Sequence, residues 1–147
     1  MSRVDGLDAL LHNLGVLSAE AKKQANDIIN SAAIAVHSDA VKSIQQGSKS
    51  GKIYLKTKAK VKHVSSAPGE APATDTGALV KSLRFRRARN GAAYVYTNLK
   101  YAPWLELGTR TMEPRPFLVP ALENNQKKFV EAFDALVKNA QRKFIKC

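Results

Sequence analysis

The chain has 147 residues, and its 24 Lys and Arg residues against 12 Asp and Glu residues give a formal net charge of +12 and a pI near 10.0. This length fits one domain with a modest core, and the charge favours a polyanionic partner, either nucleic acid or the acidic face of another subunit. A single cysteine, Cys147, excludes an intrachain disulfide and a cysteine metal cluster, and without a signal-peptide pattern or a bilayer-length apolar run we expect a protein that is neither exported nor membrane-bound.

The first 46 residues have the periodicity of helices. Leucines from Leu7 to Leu17 form a helical stripe that Gly15 weakens. Ser18 is predicted to cap a second, longer helix, which is rich in alanine and ends at Gly47. We expect both helices to pack in the core or at an interface.

Residues 47–76 form a basic arm and a linker. Ile53 with Leu55, and Val61 further on, give short period-two patterns that predict a two-stranded ribbon or an edge strand. The arm's lysines are either solvated surface or contacts to phosphate or a partner, and phosphate contacts would carry no sequence preference. These lysines are Lys49, Lys52, Lys56, Lys58, Lys60 and Lys62.

After the linker, Asp75 or Thr76 is predicted to cap a short helix over 77–82. Two alternating runs, 83–88 and 92–97, are bridged by Asn90 and Gly91, the strongest short-range signal for a β-hairpin. Its first strand carries an arginine face that meets either phosphate or the carboxylates of a neighbouring subunit. The arginines concerned are Arg84, Arg86 and Arg87.

The stretch YAPWLELGTRTMEPRPFLVPA, residues 101–121, is too rich in proline for one helix. Pro103 suits the first turn of a short helix that ends at Gly108, and Pro114 holds the following chain extended. The stretch therefore predicts a rigid corner between a strand and a helix, in which aromatic side chains fill the core. The candidate core aromatics are Tyr101, Trp104 and Phe117. An exposed Leu105 or Met112 would instead mark a docking surface.

A second long helix is predicted from about Phe117 to near the C-terminus, with Pro120 in its first turn. The order of elements predicts one α+β domain over 1–147, in which two long helices cover a small antiparallel sheet with a β-hairpin and a basic extended arm. Its parts are N-terminal helices (1–46), arm and linker (47–76), and a short helix, hairpin, corner and C-terminal helix (77–147).

Residues for catalysis are hard to find. His12, His37 and His63 have no metal-ligand spacing, and we expect the first two on helix surfaces. Glu106 flanks the corner, where we expect it to form a salt bridge with Arg110 or Arg115. The sequence therefore predicts no enzyme, cofactor or metal site. A structural assembly subunit is the favoured class, and a basic, sequence-independent nucleic-acid-binding protein is the alternative.

Three spaced motifs, APGEAPATDTGAL, YAPWLELGT and PRPFLVPA, resemble the phage tail-component family typified by the tenth gene product of the coliphage HK ninety-seven and related to minor tail protein Z. The resemblance covers roughly the second half of the chain. The matching positions are Pro68, Gly69, Pro72, Asp75, Thr76, Gly77, Leu79, Tyr101, Ala102, Glu106, Gly108, Thr109, Pro114, Arg115, Pro116, Phe117, Leu118, Pro120 and Ala121, with Trp104 inside the second motif.

The resemblance implies a virion protein of a long-tailed phage, made in the host cytoplasm and placed in the neck. It would complete the tail and join it to the head as a ring subunit. A hexameric homo-oligomer is implied by the sixfold symmetry of the tail, with head-closure or connector, tail terminator and tail tube proteins as neighbours. Non-specific contact with DNA in the channel is a further expectation.

Overall fold

A computed structural model of the protein describes residues 7–56, 61–89 and 91–145. It confirms an α+β fold, in which long helices pack with small antiparallel sheets. The elements are α1 (Leu7–Gln46), β1 (Ile53–Lys56), β2 (Val61–Val64), α2 (Ala78–Ser82), β3 (Arg84–Arg89), β4 (Ala92–Tyr96), α3 (Ala102–Leu107) and α4 (Val119–Ile145). Strands β1 and β2 form one two-stranded sheet, and β3 and β4 form another. Among the described helices, none combines the length and apolar character that crossing a bilayer requires.

The N-terminal segment is one helix of 40 residues, so the predicted division into two helices is wrong. Gly15 and Ser18 both lie inside α1. One glycine costs a helix only about 1 kcal/mol relative to alanine, and the good helix formers around it outweigh that cost. The helix ends at Gly47 as predicted. The Gly47 N–H donates to the Ser43 carbonyl at 3.0 Å, and a Cβ at Gly47 would collide with that same oxygen.

Helix α4 runs antiparallel to α1 along its length. The side chain of Asn125 is buried and donates from Nδ2 to Asp39 Oδ2 at 2.7 Å, and also to the Ala121 carbonyl at 2.8 Å. Further along, Lys143 lies 3.3 Å from Glu20 in an exposed ion pair. Because a buried amide must keep its partners, the Asn125 contact fixes how far one helix slides along the other.

The core lies where α1, α2, α3 and the start of α4 meet. Its largest fully buried side chain is that of Phe117, which is 1% exposed. Alanines on α1 and α4 let the two helices approach closely around this ring. The core cluster consists of Val36, Ala40, Ile44, Leu79, Leu83, Ala102, Phe117 and Ala121.

The predicted β3–β4 hairpin is confirmed, and α1 packs against both of its strands. The Ala88 N–H donates to Asn30 Oδ1 at 2.6 Å, and His37 Nε2 lies 3.4 Å from the Leu83 carbonyl oxygen. The His37 ring also lies 5.6 Å from the ring of Phe85. His37 is therefore a partly buried packing residue, and the predicted surface position is wrong because the hairpin covers that turn of α1.

Two helices begin slightly later than predicted. The N-cap residue of α2 is Gly77, with φ 73°, and Thr76 Oγ1 accepts a long bond of 3.4 Å from the Ala78 N–H. Helix α4 begins at Val119, with Pro120 in its first turn as expected. Asn90, the first residue of the predicted hairpin turn, lies outside the described residues, whereas Gly91 has φ 79°.

Candidate interaction surfaces

The corner after β4 folds back on itself through a tight turn. Helix α3 ends at Gly108, whose φ of 76° favours glycine, and an added Cβ would lie only 2.8 Å from the Met112 carbonyl oxygen. The Thr109 N–H donates to that oxygen at 2.7 Å, and the Arg115 N–H donates to the Leu105 carbonyl at 2.7 Å. These bonds hold the chain after the turn against α3, so the predicted corner between a strand and a helix is present; its rigidity stays a prediction.

Two of the three candidate core aromatics lie at the surface. Trp104 is 58% exposed and Tyr101 is 39% exposed, so only Phe117 fills the core. The reason is helical geometry. Ala102 is the residue of α3 that faces the core, and two residues later the helix has turned by about 200°, which points Trp104 outward. Leu105 and Met112 are partly buried and do not mark a docking surface, whereas Leu107 is strongly exposed.

Glu106 joins the corner to α4, and the predicted salt bridge is wrong. Its Oε2 accepts from the Phe117 and Leu118 N–H groups at 2.9 and 3.1 Å, and its Oε1 accepts from the Val119 N–H at 2.8 Å. The first N–H groups of a helix have no partner inside the helix, and the positive end of the helix dipole favours an anion there. Glu106 thus caps α4 from a separate helix.

The linker has little regular structure, but hydrogen bonds attach it to the corner and to the end of α1. The Gly69 N–H donates to the Pro114 carbonyl at 3.0 Å, and Thr74 Oγ1 donates to the Ile44 carbonyl at 3.1 Å near the end of α1. The structure therefore brings the first of the three motifs against the third.

A cleft of about 350 Å³ lies between the linker and the corner. Its lining includes His63, Asp75, Leu79, Tyr101, Leu105 and Arg115. The Arg115 Nε atom is buried and has no hydrogen-bond partner among the described atoms. In the described part of the chain no three His, Cys, Asp or Glu side chains are grouped as metal ligands. Because its lining comes from the linker and the corner, this cleft is a junction between structural segments.

The base of the arm is fixed by one lysine and one glutamate. Lys49 Nζ donates to the carbonyls of Ala71 and Pro72 at 3.0 and 3.1 Å, and its partial burial lowers the pKa of its ammonium group. The Glu70 carboxylate accepts from the hydroxyl and N–H of Ser50 at 2.6 and 2.9 Å. These hydrogen bonds, the hydroxyl bond first, lower the pKa of Glu70 to about 2. Lys49 is thus bound by carbonyls of the linker, and its contact with phosphate or a partner stays a prediction.

The rest of the arm is a hairpin of β1 and β2 with apolar side chains in solvent. Ile53 pairs with Val64 and Leu55 pairs with Lys62, so one face carries three exposed apolar side chains beside a lysine. Lys52 and Lys62 are exposed, and this exposure fits both alternatives for the arm's lysines, solvated surface or contact with phosphate or a partner. Lys58, Lys60 and the side chain of Lys56 lie outside the described residues. We call the exposed set Ile53, Leu55 and Val64 the arm face.

An apolar groove of about 450 Å³ runs between β4 and α4, with α1 as its floor. Strand β4 pairs only with β3 in the described structure, so its edge towards this groove has no strand neighbour. The α4 wall carries a second apolar stripe beside the one that packs on α1, with Leu122 58% exposed. The exposed stripe consists of Val119, Leu122, Val130, Phe133 and Val137. The sequence predicted one long helix here but not its second apolar stripe, although the spacing of three and four residues is visible in the sequence.

The outer face of the β3–β4 hairpin combines arginine with tyrosine. Arg84 pairs with Tyr96 and Arg86 pairs with Tyr94, which puts the four side chains on the face opposite Phe85. All four are exposed, as is Arg87 beyond them. Arg84 also donates to the Lys81 and Leu83 carbonyls, which holds its guanidinium in place. The sequence predicted the arginine face, and the strand register adds the two tyrosines to it.

Comparison with known protein families, with curated proteins and with solved structures found no match in any of the three. The resemblance to the phage tail-component family therefore stays a prediction that rests on the three motifs.

Proposed function

We propose that this chain is a structural, non-enzymatic virion protein of a long-tailed phage, which forms a ring in the neck that completes the tail and joins it to the head. The observation that carries the proposal is the presence of two unlike apolar surfaces on one chain, the arm face and the groove between β4 and α4. Exposed apolar patches of this kind mark protein interfaces. Motif resemblance supplies the place of assembly, and these two surfaces support self-association.

The arm face and the groove are two different surfaces, and the arm of one copy can pair with the groove of the next in a head-to-tail contact. Strand β1 has four residues and spans about 13 Å, whereas β4 has five residues and spans about 17 Å. An arm strand from another copy is therefore short enough to pair along the open edge of β4, and the arm's apolar side chains would then meet α1 and α4. A two-stranded hairpin is marginal by itself, so the arm gains stability from such docking.

A contact between two different surfaces repeats from copy to copy and closes into a ring when the rotation fits. Six copies would match the symmetry that the family resemblance implies. Head-closure or connector, tail terminator and tail tube proteins are the proposed neighbours in the virion, after synthesis in the host cytoplasm. A net charge of +12 also suits contact with DNA in the channel.

Light scattering of purified variants tests the contact. Leu55→Glu blocks the arm face and Leu122→Glu blocks the groove, so each variant alone should stay monomeric. Mixed together, they should form a dimer and stop, because the intact arm of one variant fits the intact groove of the other. Leu107→Glu, which puts the same charge on an exposed leucine outside both surfaces, should assemble like the unmodified chain. Normal assembly of Leu55→Glu, or a mixture that stays monomeric, would refute the head-to-tail contact.

The second candidate is a basic nucleic-acid-binding protein without sequence preference, which the excess of 12 positive charges favours. It predicts that the isolated chain binds arbitrary DNA and that log K falls linearly with log salt, with a slope set by the number of phosphates contacted. Salt-sensitive DNA binding by a chain that never assembles would favour this candidate over the ring.

A further inference from the structure

The face formed by Arg84, Arg86, Tyr94 and Tyr96 differs from the two apolar surfaces in its chemistry. Its two cross-strand pairs each place a guanidinium beside a phenol ring. Tyr94 is 58% exposed and Tyr96 is 37% exposed, and in the described part of the chain neither ring packs against another aromatic ring. Both rings are therefore open to a planar group from outside.

The segment that carries this face has charges of one sign. Residues 76–105 contain no Asp or Glu, and they carry six cationic side chains: Lys81, Arg84, Arg86, Arg87, Arg89 and Lys100. Arg84 is held by the carbonyls of Lys81 and Leu83, so its remaining N–H groups are presented in a fixed orientation. An anion with regularly spaced charges is the complement of such a surface.

We infer that this Arg–Tyr face binds single-stranded nucleic acid. The two tyrosines alternate on β4 and lie about 7 Å apart, which leaves room for a separate base on each ring. The arginines of β3 lie beside them and contact the phosphates. Duplex DNA fits poorly, because its bases are stacked inside the helix and offer their flat faces to no side chain. The binding is independent of sequence, since every base has a face that stacks on an aromatic ring.

This inference does not depend on assembly into a ring of subunits. A variant at one residue separates nucleic-acid binding from assembly. Tyr94 also lines the groove, so Tyr96, which is absent from the groove lining, is the residue to change. The probes are a labelled 20-nucleotide oligothymidine, a 20-base-pair duplex and inorganic polyphosphate, each measured by fluorescence anisotropy or competition. Light scattering of the same samples checks that the variant assembles as the unmodified chain does.

We expect the unmodified chain to bind the single strand more tightly than the duplex. Tyr96→Ala should weaken binding of the single strand about 5-fold or more, the lower end of what one stacked base contributes. Tyr96→Phe keeps the ring and should restore binding to within about 2-fold of the unmodified chain, because stacking needs the ring and not the hydroxyl. Arg86→Gln should reduce the salt slope for the single strand by about 0.7, the value for one phosphate contact.

Lys127→Gln is the matched control, since it removes one charge from an exposed position on α4 and should leave binding within about 2-fold. The inference is overturned if oligothymidine does not bind, or if Tyr96→Ala binds it as tightly as the unmodified chain does. It is also overturned if duplex and single strand bind equally and polyphosphate displaces both alike, because the face would then recognise only charge.

Discussion

The cap that Glu106 provides to α4 gives the sharpest stability prediction. Glu106→Ala removes the acceptor of three N–H groups, those of Phe117, Leu118 and Val119. Phe117 is buried, so its N–H is left without water or protein as an acceptor, which costs about 1–3 kcal/mol. Losing the cap and the charge at the helix end adds about 1 kcal/mol. We expect a total of about 2–4 kcal/mol.

Thermal unfolding followed by circular dichroism measures this loss. With an unfolding entropy of about 2.1 cal/mol/K per residue over 147 residues, the expected drop in Tm is about 6–13 °C. Glu106→Gln keeps one acceptor oxygen without the charge and should lose about half as much. Glu113→Gln, at an exposed position of the same corner, should change stability by less than about 0.5 kcal/mol. A Glu106→Ala protein that melts within 2 °C of the unmodified chain, a shift of about 0.6 kcal/mol, would refute the capping role.

Two further predictions concern acid stability and the aromatic residues. Because the pKa of Glu70 falls from 4.5 to about 2 on folding, its carboxylate stabilises the fold above about pH 4.5, and this contribution is lost as the pH falls towards 2. The Glu70→Gln variant should therefore be less stable than the unmodified chain at pH 7 and lose less stability on acidification. Urea midpoints that fall equally for both proteins from pH 5 to 2 would contradict this. Phe117→Ala should lose about 3–5 kcal/mol, whereas Trp104→Ala should change stability by only about 0.5 kcal/mol. Urea unfolding of both variants checks the contrast, and equal losses would show that Trp104 belongs to the core.

Local patterns determined most of the elements. The β3–β4 hairpin follows from its alternation and its turn, the corner from its prolines and Gly108, and the end of α1 from Gly47. In each case the determining interaction lies within a few residues of the chain. The local signal at Gly15 was misleading. A single glycine destabilises a helix too little to end it when the neighbouring residues favour helix.

Contacts between distant segments decided the roles of single residues. Glu106 had two arginines nearby in sequence, yet its carboxylate caps a helix that begins 13 positions later. Lys49 belonged to a run of lysines, yet carbonyls of the linker bind its ammonium group. The sequence shows that charged side chains such as these need partners, but only the packing of distant segments determines which partners they have.

The amino-acid sequence by itself thus determined the α+β class, the basic charge and the order of elements, because these depend on composition and short-range periodicity. Only the tertiary structure decided which aromatic ring is buried, how the arginines and tyrosines share one face, and that α4 keeps a second apolar stripe in solvent. The physical reason is that a helix or strand exposes several faces, and the neighbours that cover some of them come from elsewhere in the chain.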